Sequence, residues 1–145
     1  FKEKEFILWD GCCKYHNNIK INEIYELKEK YPNSKILVHP ECQKQIRDIA
    51  DYIGSTAGII NYATNNDYKD YIIATEEGIL YELKKKNPDK NFYIPGGSIS
   101  CVDMKKTTLN NLYDTLLNMK NEVILDESVS KNALKCLENM HSLAK

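Results

Sequence analysis

Lys35-Ile36-Leu37-Val38-His39-Pro40-Glu41-Cys42 decides the fold. Its apolar start has the length and composition of a buried strand, and the polar His39-Pro40-Glu41 turns the chain at that strand's carboxyl end. Proline suits a first helical turn, and Cys42, Ile46, Ile49, Ala50 and Ile53 mark one buried face of the helix that is predicted to follow.

The same alternation continues outward. Upstream, Ile24, Leu27 and Tyr31 recur at helical spacing, with Asn22 as the cap and Pro32-Asn33 as the stop. Downstream, Gly54-Ser55-Thr56 breaks the helical pattern before a short helix over 57–62, and Tyr71-Ile72-Ile73-Ala74 reads as a strand. Thr75-Glu76-Glu77-Gly78 opens a helix ending near Pro88, and Phe92-Tyr93-Ile94-Pro95 supplies a further strand. Phe6-Ile7-Leu8-Trp9 also reads as a buried strand, stopped by Asp10-Gly11. Strands alternating with helices predict an α/β fold: a mainly parallel sheet with helices on both faces, in three αβα layers. Ligands of such sheets gather outside the carboxyl ends of the strands, so the motifs after Trp9, Val38 and Ala74 are predicted to share one rim. Beyond Cys101, Leu109, Leu112, Leu116 and Leu117 form one helical face, Val123-Ile124-Leu125 a short strand, and Val129, Ala133, Cys136, Leu137 and Met140 another helical face.

The 145 residues carry a formal charge of −1, with lysines scattered among glutamates, which argues against nucleic acid or a membrane surface as partner. No apolar run approaches the ~18 residues of a membrane span, and no secretory leader is visible, so a reducing cytoplasmic setting is expected. Five cysteines at irregular spacing argue for thiols with separate tasks rather than a disulfide framework. The chain begins at Phe1 in mid-pattern without an initiator methionine, as part of a longer protein would.

Cys13 and Cys101 stand far apart in sequence, each beside a polar motif, as ligands of a metal centre gathered by the fold would. Cys13-x-x-His16 and His39-x-x-Cys42 also spell a zinc site, in which Cys12 could share. Cys42 falls on the buried face with Ile46 and Ile49, so it and Cys136 read as structural, Cys13 and Cys101 as ligands, and Cys12 stays unassigned. Gly54-Ser55-Thr56 before a helix offers free N–H groups and two hydroxyls to a carboxylate or phosphate, although such residues usually serve as caps. Glu41 and Glu76 suit either a helix's first turn or catalysis.

Taken together, Trp9-x-Gly11-x-Cys13-x-x-His16, His39-Pro40-Glu41-Cys42, Ala50-Asp51, Gly54-Ser55-Thr56, Thr75-Glu76-x-Gly78 and Cys101-x-x-Met104-Lys105-x-x-Thr108-Leu109 resemble the carboxyl-terminal half of the quinolinate synthase family. The resemblance implies an enzyme of NAD biosynthesis that condenses iminoaspartate, supplied by L-aspartate oxidase, with dihydroxyacetone phosphate. It also implies three αβα domains in pseudo-threefold arrangement around a [4Fe-4S] cluster, with Cys13 and Cys101 as two of three ligands. His16, His39 and Glu41 match catalytic positions, and His39, Glu41, Ser55 and Thr56 match substrate-binding ones. On that plan residues 1–13 end the second domain, 14–101 form the third, and 102–145 pack on a first domain, itself a partner supplied from outside this sequence. Two departures stand out: Cys12 offers a neighbouring thiol, and Tyr15 replaces a small aliphatic residue.

Overall fold

Ile36, Leu37 and Val38 are buried, as are Tyr71, Ile72, Ile73 and Ala74, so both faces of the central strands lie inside the protein. Residues on a strand alternate sides, and burial without alternation requires cover above and below the sheet. The computed structural model, which describes residue 3 and residues 5–144, supplies that cover. Its elements are α1 (Lys14–Asn17), α2 (Ile21–Lys30), β1 (Lys35–Val38), α3 (Lys44–Arg47), β2 (Tyr52–Ile53), α4 (Thr56–Asn65), β3 (Asp70–Ala74), α5 (Ile79–Lys86) and β4 (Asn91–Tyr93), followed by α6 (Leu109–Asn118) and α7 (Glu127–Leu143).

The four strands form one parallel sheet in the order β2-β1-β3-β4. Register pairs Val38 with Ala74 on one side and with Ile53 on the other. Crossovers between parallel strands are right-handed, so the connection from β1 to β2 passes one face while those through α4 and α5 pass the other. The fold is therefore the α/β, three-layer arrangement that the sequence predicts. Ile46, Ile59, Ala63, Ile79 and Leu83 are the helical contribution to the core, together with Ile24 of α2. Each fully buried aliphatic side chain contributes about 1.5–3 kcal/mol.

The connection from β1 to β2 departs from the predicted helix. Only Lys44–Arg47 is helical, and Tyr52-Ile53 pairs with β1 as an edge strand that leaves Ile53 45% exposed. The cause lies at Asp51, whose carboxylate accepts the Ile36 N–H at 2.8 Å and the Lys35 ammonium at 2.7 Å. Those bonds hold the chain alongside β1 just where a helix would have carried it away. α2 begins after Lys20, which makes no side-chain cap, rather than at Asn22.

Phe6-Ile7-Leu8-Trp9 forms no strand. It pairs with neither edge of the sheet, and its side chains are 64 to 96% exposed. Apolar composition alone does not make a strand, because the backbone N–H and C=O groups need a neighbouring ladder.

The described chain divides into two compact units at Val102 and Asp103. In the second unit, Thr108 and Asn111 form a reciprocal capping box at the start of α6, and Asp126 caps α7 through the Ser128 and Val129 N–H groups. Leu112 and Leu116 on α6 and Leu137, Met140 and the structural candidate Cys136 on α7 are exposed. Val123-Ile124-Leu125 forms no strand and is likewise exposed.

Candidate active site at the sheet rim

The chain leaves β1 toward β2 on one side and leaves β3 toward β4 on the other, so the strand order reverses between β1 and β3. Two loops diverging there open a crevice at the carboxyl ends of the strands, the usual ligand position of open α/β sheets. His39 follows β1 and Thr75 follows β3 at that point, and the His39 N–H donates to the Ala74 carbonyl at 3.1 Å, extending the ladder into the crevice.

Cys13 and His16 reach the same crevice from the amino-terminal side. Cys13 precedes the single turn α1, which directs His16 inward until it is only 7% exposed. His16 Nε2 lies 2.9 Å from Thr75 Oγ1, and its other nitrogen, Nδ1, lies 2.9 Å from Glu41 Oε2. The second contact has ion-pair distance without hydrogen-bond alignment, so Nδ1 is a buried polar atom with no directed partner. The rings of His16 and His39 stack with centroids 4.4 Å apart and planes 10° from parallel. Burial lowers the pKa of His16, and the adjacent His39 adds to the effect, while the carboxylates of Glu41 and Glu76 oppose it.

His39 has a defined tautomer. Its Nδ1 accepts the Glu41 backbone N–H at 3.3 Å, and an N–H can only donate, so the proton of the neutral ring sits on Nε2. Glu41 Oε2 lies 3.6 Å from the same Nδ1, and the carboxylate, half exposed, borders both rings. Cys42 turns away into the core, where its thiol donates to the Ala74 carbonyl at 3.4 Å. Burial raises the pKa of Cys42 to about 11, so it remains a thiol. The structural reading of Cys42 therefore holds.

Cys101 arrives from the far side. Gly96 and Gly97 adopt φ of +66° and +80°, a conformation glycine enters without a Cβ penalty, and this turn brings the chain back along the rim. The Cys101 N–H donates to Glu76 Oε1 at 3.3 Å, and the next N–H, of Val102, donates to the Tyr15 hydroxyl at 3.0 Å. Tyr15, noted from sequence only as an oddity, thus ties the Cys101 segment to the helical turn that Cys13 begins. Cys13 and Cys101 are both free and half-buried. Cys13 Sγ, a ring nitrogen of His16 and a carboxylate oxygen of Glu41 lie within 4.8 Å of one another, and Cys101 stands outside that close group. Cys12 is exposed and likewise outside it.

Ser55 and Thr56 stand one strand over. Gly54 N–H donates to the Val38 carbonyl, which sets the start of α4 beside His39 on the rim, and Ser55 Oγ accepts the Gly58 N–H at 3.2 Å as the cap. Two surface clefts of about 280 and 390 Å³ lie beside α2, and neither is lined by His39, Glu41 or Cys101. The sequence assigns no site role to Thr75 or Tyr15; the signals for Thr75 are its position directly after a strand and its place in the Thr75-Glu76-x-Gly78 motif.

Residues 1–142 match the family model described as NadA: Quinolinate synthetase A protein. This chain belongs to the quinolinate synthetase A family. It is 67% identical over 144 residues to a quinolinate synthase of Clostridioides difficile, covering 99% of this chain and 47% of that protein. Quinolinate synthases of Clostridium novyi and of a Sulfurihydrogenibium species are 51% and 47% identical, covering 97% and 98% of this chain and 46% and 48% of theirs. The chain thus spans about half the length of the curated relatives it matches. Among the described residues, no helix of this quinolinate synthetase A family member is long and apolar enough to cross a membrane.

Proposed function

We propose that this chain provides the His16, His39 and Glu41 machinery and two cluster thiolates of a quinolinate synthase, an enzyme that condenses iminoaspartate with dihydroxyacetone phosphate in NAD biosynthesis. The observation that carries the reading is the stacked histidine pair sharing one carboxylate at the point where the strand order reverses.

Condensation followed by loss of phosphate and water requires protons to be removed from carbon and delivered to leaving oxygens, and imidazoles with fixed tautomers do both. His39, protonated on Nε2 by the Nδ1 contact, is the donor at that atom. His16, whose pKa burial lowers, is held between Thr75 and Glu41, and Glu41 offsets positive charge arising on either ring. At the start of α4, the positive end of the helix with Ser55 and Thr56 suits the acidic groups of the substrates.

Cys13 and Cys101 would hold a [4Fe-4S] cluster with a third thiolate from outside this sequence; both are free thiols on one rim, and soft thiolates are the donors such a group takes. When bound, the cluster supplies a Lewis acid that withdraws electron density from a substrate oxygen or nitrogen.

The test is to produce this sequence anaerobically, joined to the amino-terminal half of a close relative. Quinolinate should form when dihydroxyacetone phosphate is supplied together with L-aspartate oxidase and aspartate, and the protein should be brown. A colourless, inactive product that is folded would refute the proposal.

A further inference from the structure

Cys13, His16 and Glu41 come from three places, the N-cap of α1, its buried third residue and the turn after β1, yet their donor atoms lie within 4.8 Å of one another. One thiolate, one imidazole and one carboxylate form a donor set of the borderline softness that Zn²⁺ takes in sites with an open fourth position. Tetrahedral zinc separates such donors by about 3.3–3.7 Å, so the group needs to contract by only ~1 Å, and Glu41 is exposed enough to move.

A second observation points to a ligand. His16 Nδ1 is buried, borders the group and has no directed hydrogen bond, whereas Nε2 already faces the Thr75 hydroxyl at 2.9 Å. Metal-bound histidines characteristically engage a partner through the second ring nitrogen, which fixes tautomer and ring direction. Thr75, 1% exposed, is placed to be that partner.

We propose that the cluster-free chain binds one Zn²⁺ through Cys13 Sγ, His16 Nδ1 and a Glu41 carboxylate oxygen. The thiol gives up its proton to solvent on binding. His16 carries its proton on Nε2, donating to Thr75, and thiolate and carboxylate together neutralise the dication. The set differs from the zinc site that spacing suggests, because Glu41 replaces His39, whose Nδ1 is occupied by the Glu41 N–H. The site shares Cys13 with the proposed cluster, so occupation by the two is mutually exclusive, but it makes no use of Cys101.

Co²⁺, titrated anaerobically into the full 145-residue chain purified without iron, reports this site through thiolate-to-cobalt absorption in the near ultraviolet. One equivalent should bind and be displaced by Zn²⁺. Cys13→Ser should abolish the thiolate band, Glu41→Gln should weaken binding at least 10-fold, and Thr75→Val should weaken it about 10–100-fold. Cys101→Ser should bind as the parent does. The circular-dichroism spectrum of each variant establishes folding, and Glu41, at the surface, keeps the test decisive if Cys13→Ser does not fold. Binding that survives Glu41→Gln unchanged, requires Cys101, or shows no thiolate band would overturn the site. That outcome leaves the brown, Cys101-dependent cluster of the joined protein untouched, so the two readings fail separately.

Discussion

His16 and His39 meet ring to ring, 4.4 Å apart and 10° from parallel, although one belongs to an amino-terminal turn and the other to the end of β1. Burial, and then a charge on His39 at that distance, lower the pKa of His16, so a proton added to the His16 ring is disfavoured by both. Glu41, at 2.9 Å and 3.6 Å from the two Nδ1 atoms, is the group that stabilises that proton.

Replacing His39 by Ala removes the ring that carries its proton on Nε2 but no thiolate. Turnover in the joined enzyme should fall ~10²-fold or more while the broad iron–sulfur absorption near ~400 nm persists. Unchanged turnover would reduce His39 to a packing role.

Cys101→Ser in the same protein should abolish both the cluster and activity. Cys136→Ser should change neither, because Cys136 lies on α7, far along the chain from the rim motifs. Iron and sulfide analysis of the two variants side by side checks the pair, and full iron content in Cys101→Ser would end the assignment.

Asp51 stabilises the edge of the sheet rather than the site. Burial pushes its carboxyl up, but the bonds from Lys35 and the Ile36 N–H and the Lys35 charge outweigh this and hold its pKa below the ordinary 3.8. A depressed carboxyl contributes stability above its unfolded value and loses it as pH falls through the folded one. Asp51→Ala should therefore lower unfolding free energy at pH 7 by about 1–3 kcal/mol, with the gap from the parent shrinking below pH 3.8. Urea unfolding at pH 7 and pH 3 measures it; a gap that does not change with pH would contradict the role.

Ser55 caps α4 and is proposed to bind substrate, and two substitutions separate these roles. As the cap of α4 it should tolerate Gly within a few tenths of a kcal/mol and cost about 1 kcal/mol when changed to Ala. If its hydroxyl also holds a substrate carboxylate or phosphate, Ser55→Gly should raise KM several-fold with little change in thermal stability. A KM equal to the parent's in both variants would confine Ser55 to capping.

The apolar runs at Ile36–Val38 and Tyr71–Ala74 are legible as buried strands because each is flanked by turn residues and too short for a buried helix. The same reasoning failed at Phe6–Trp9, since an edge to pair with is a property of the rest of the sheet and not of the run. It failed again between Cys42 and Ile53, where helical spacing was present but the Asp51 carboxylate captured the β1 backbone across fifteen residues.

By itself the sequence determined the buried strands β1 and β3, the parallel sheet and the polar motifs that follow those two strands, because apolar period and turn chemistry are local. Only the tertiary structure decided that the strand order reverses beside His39, that Thr75 engages His16, and that Tyr15 bonds to the segment carrying Cys101. Those relationships depend on where separate segments are brought together, and contact between distant residues is set by the packing of whole layers, which no short stretch of chain encodes.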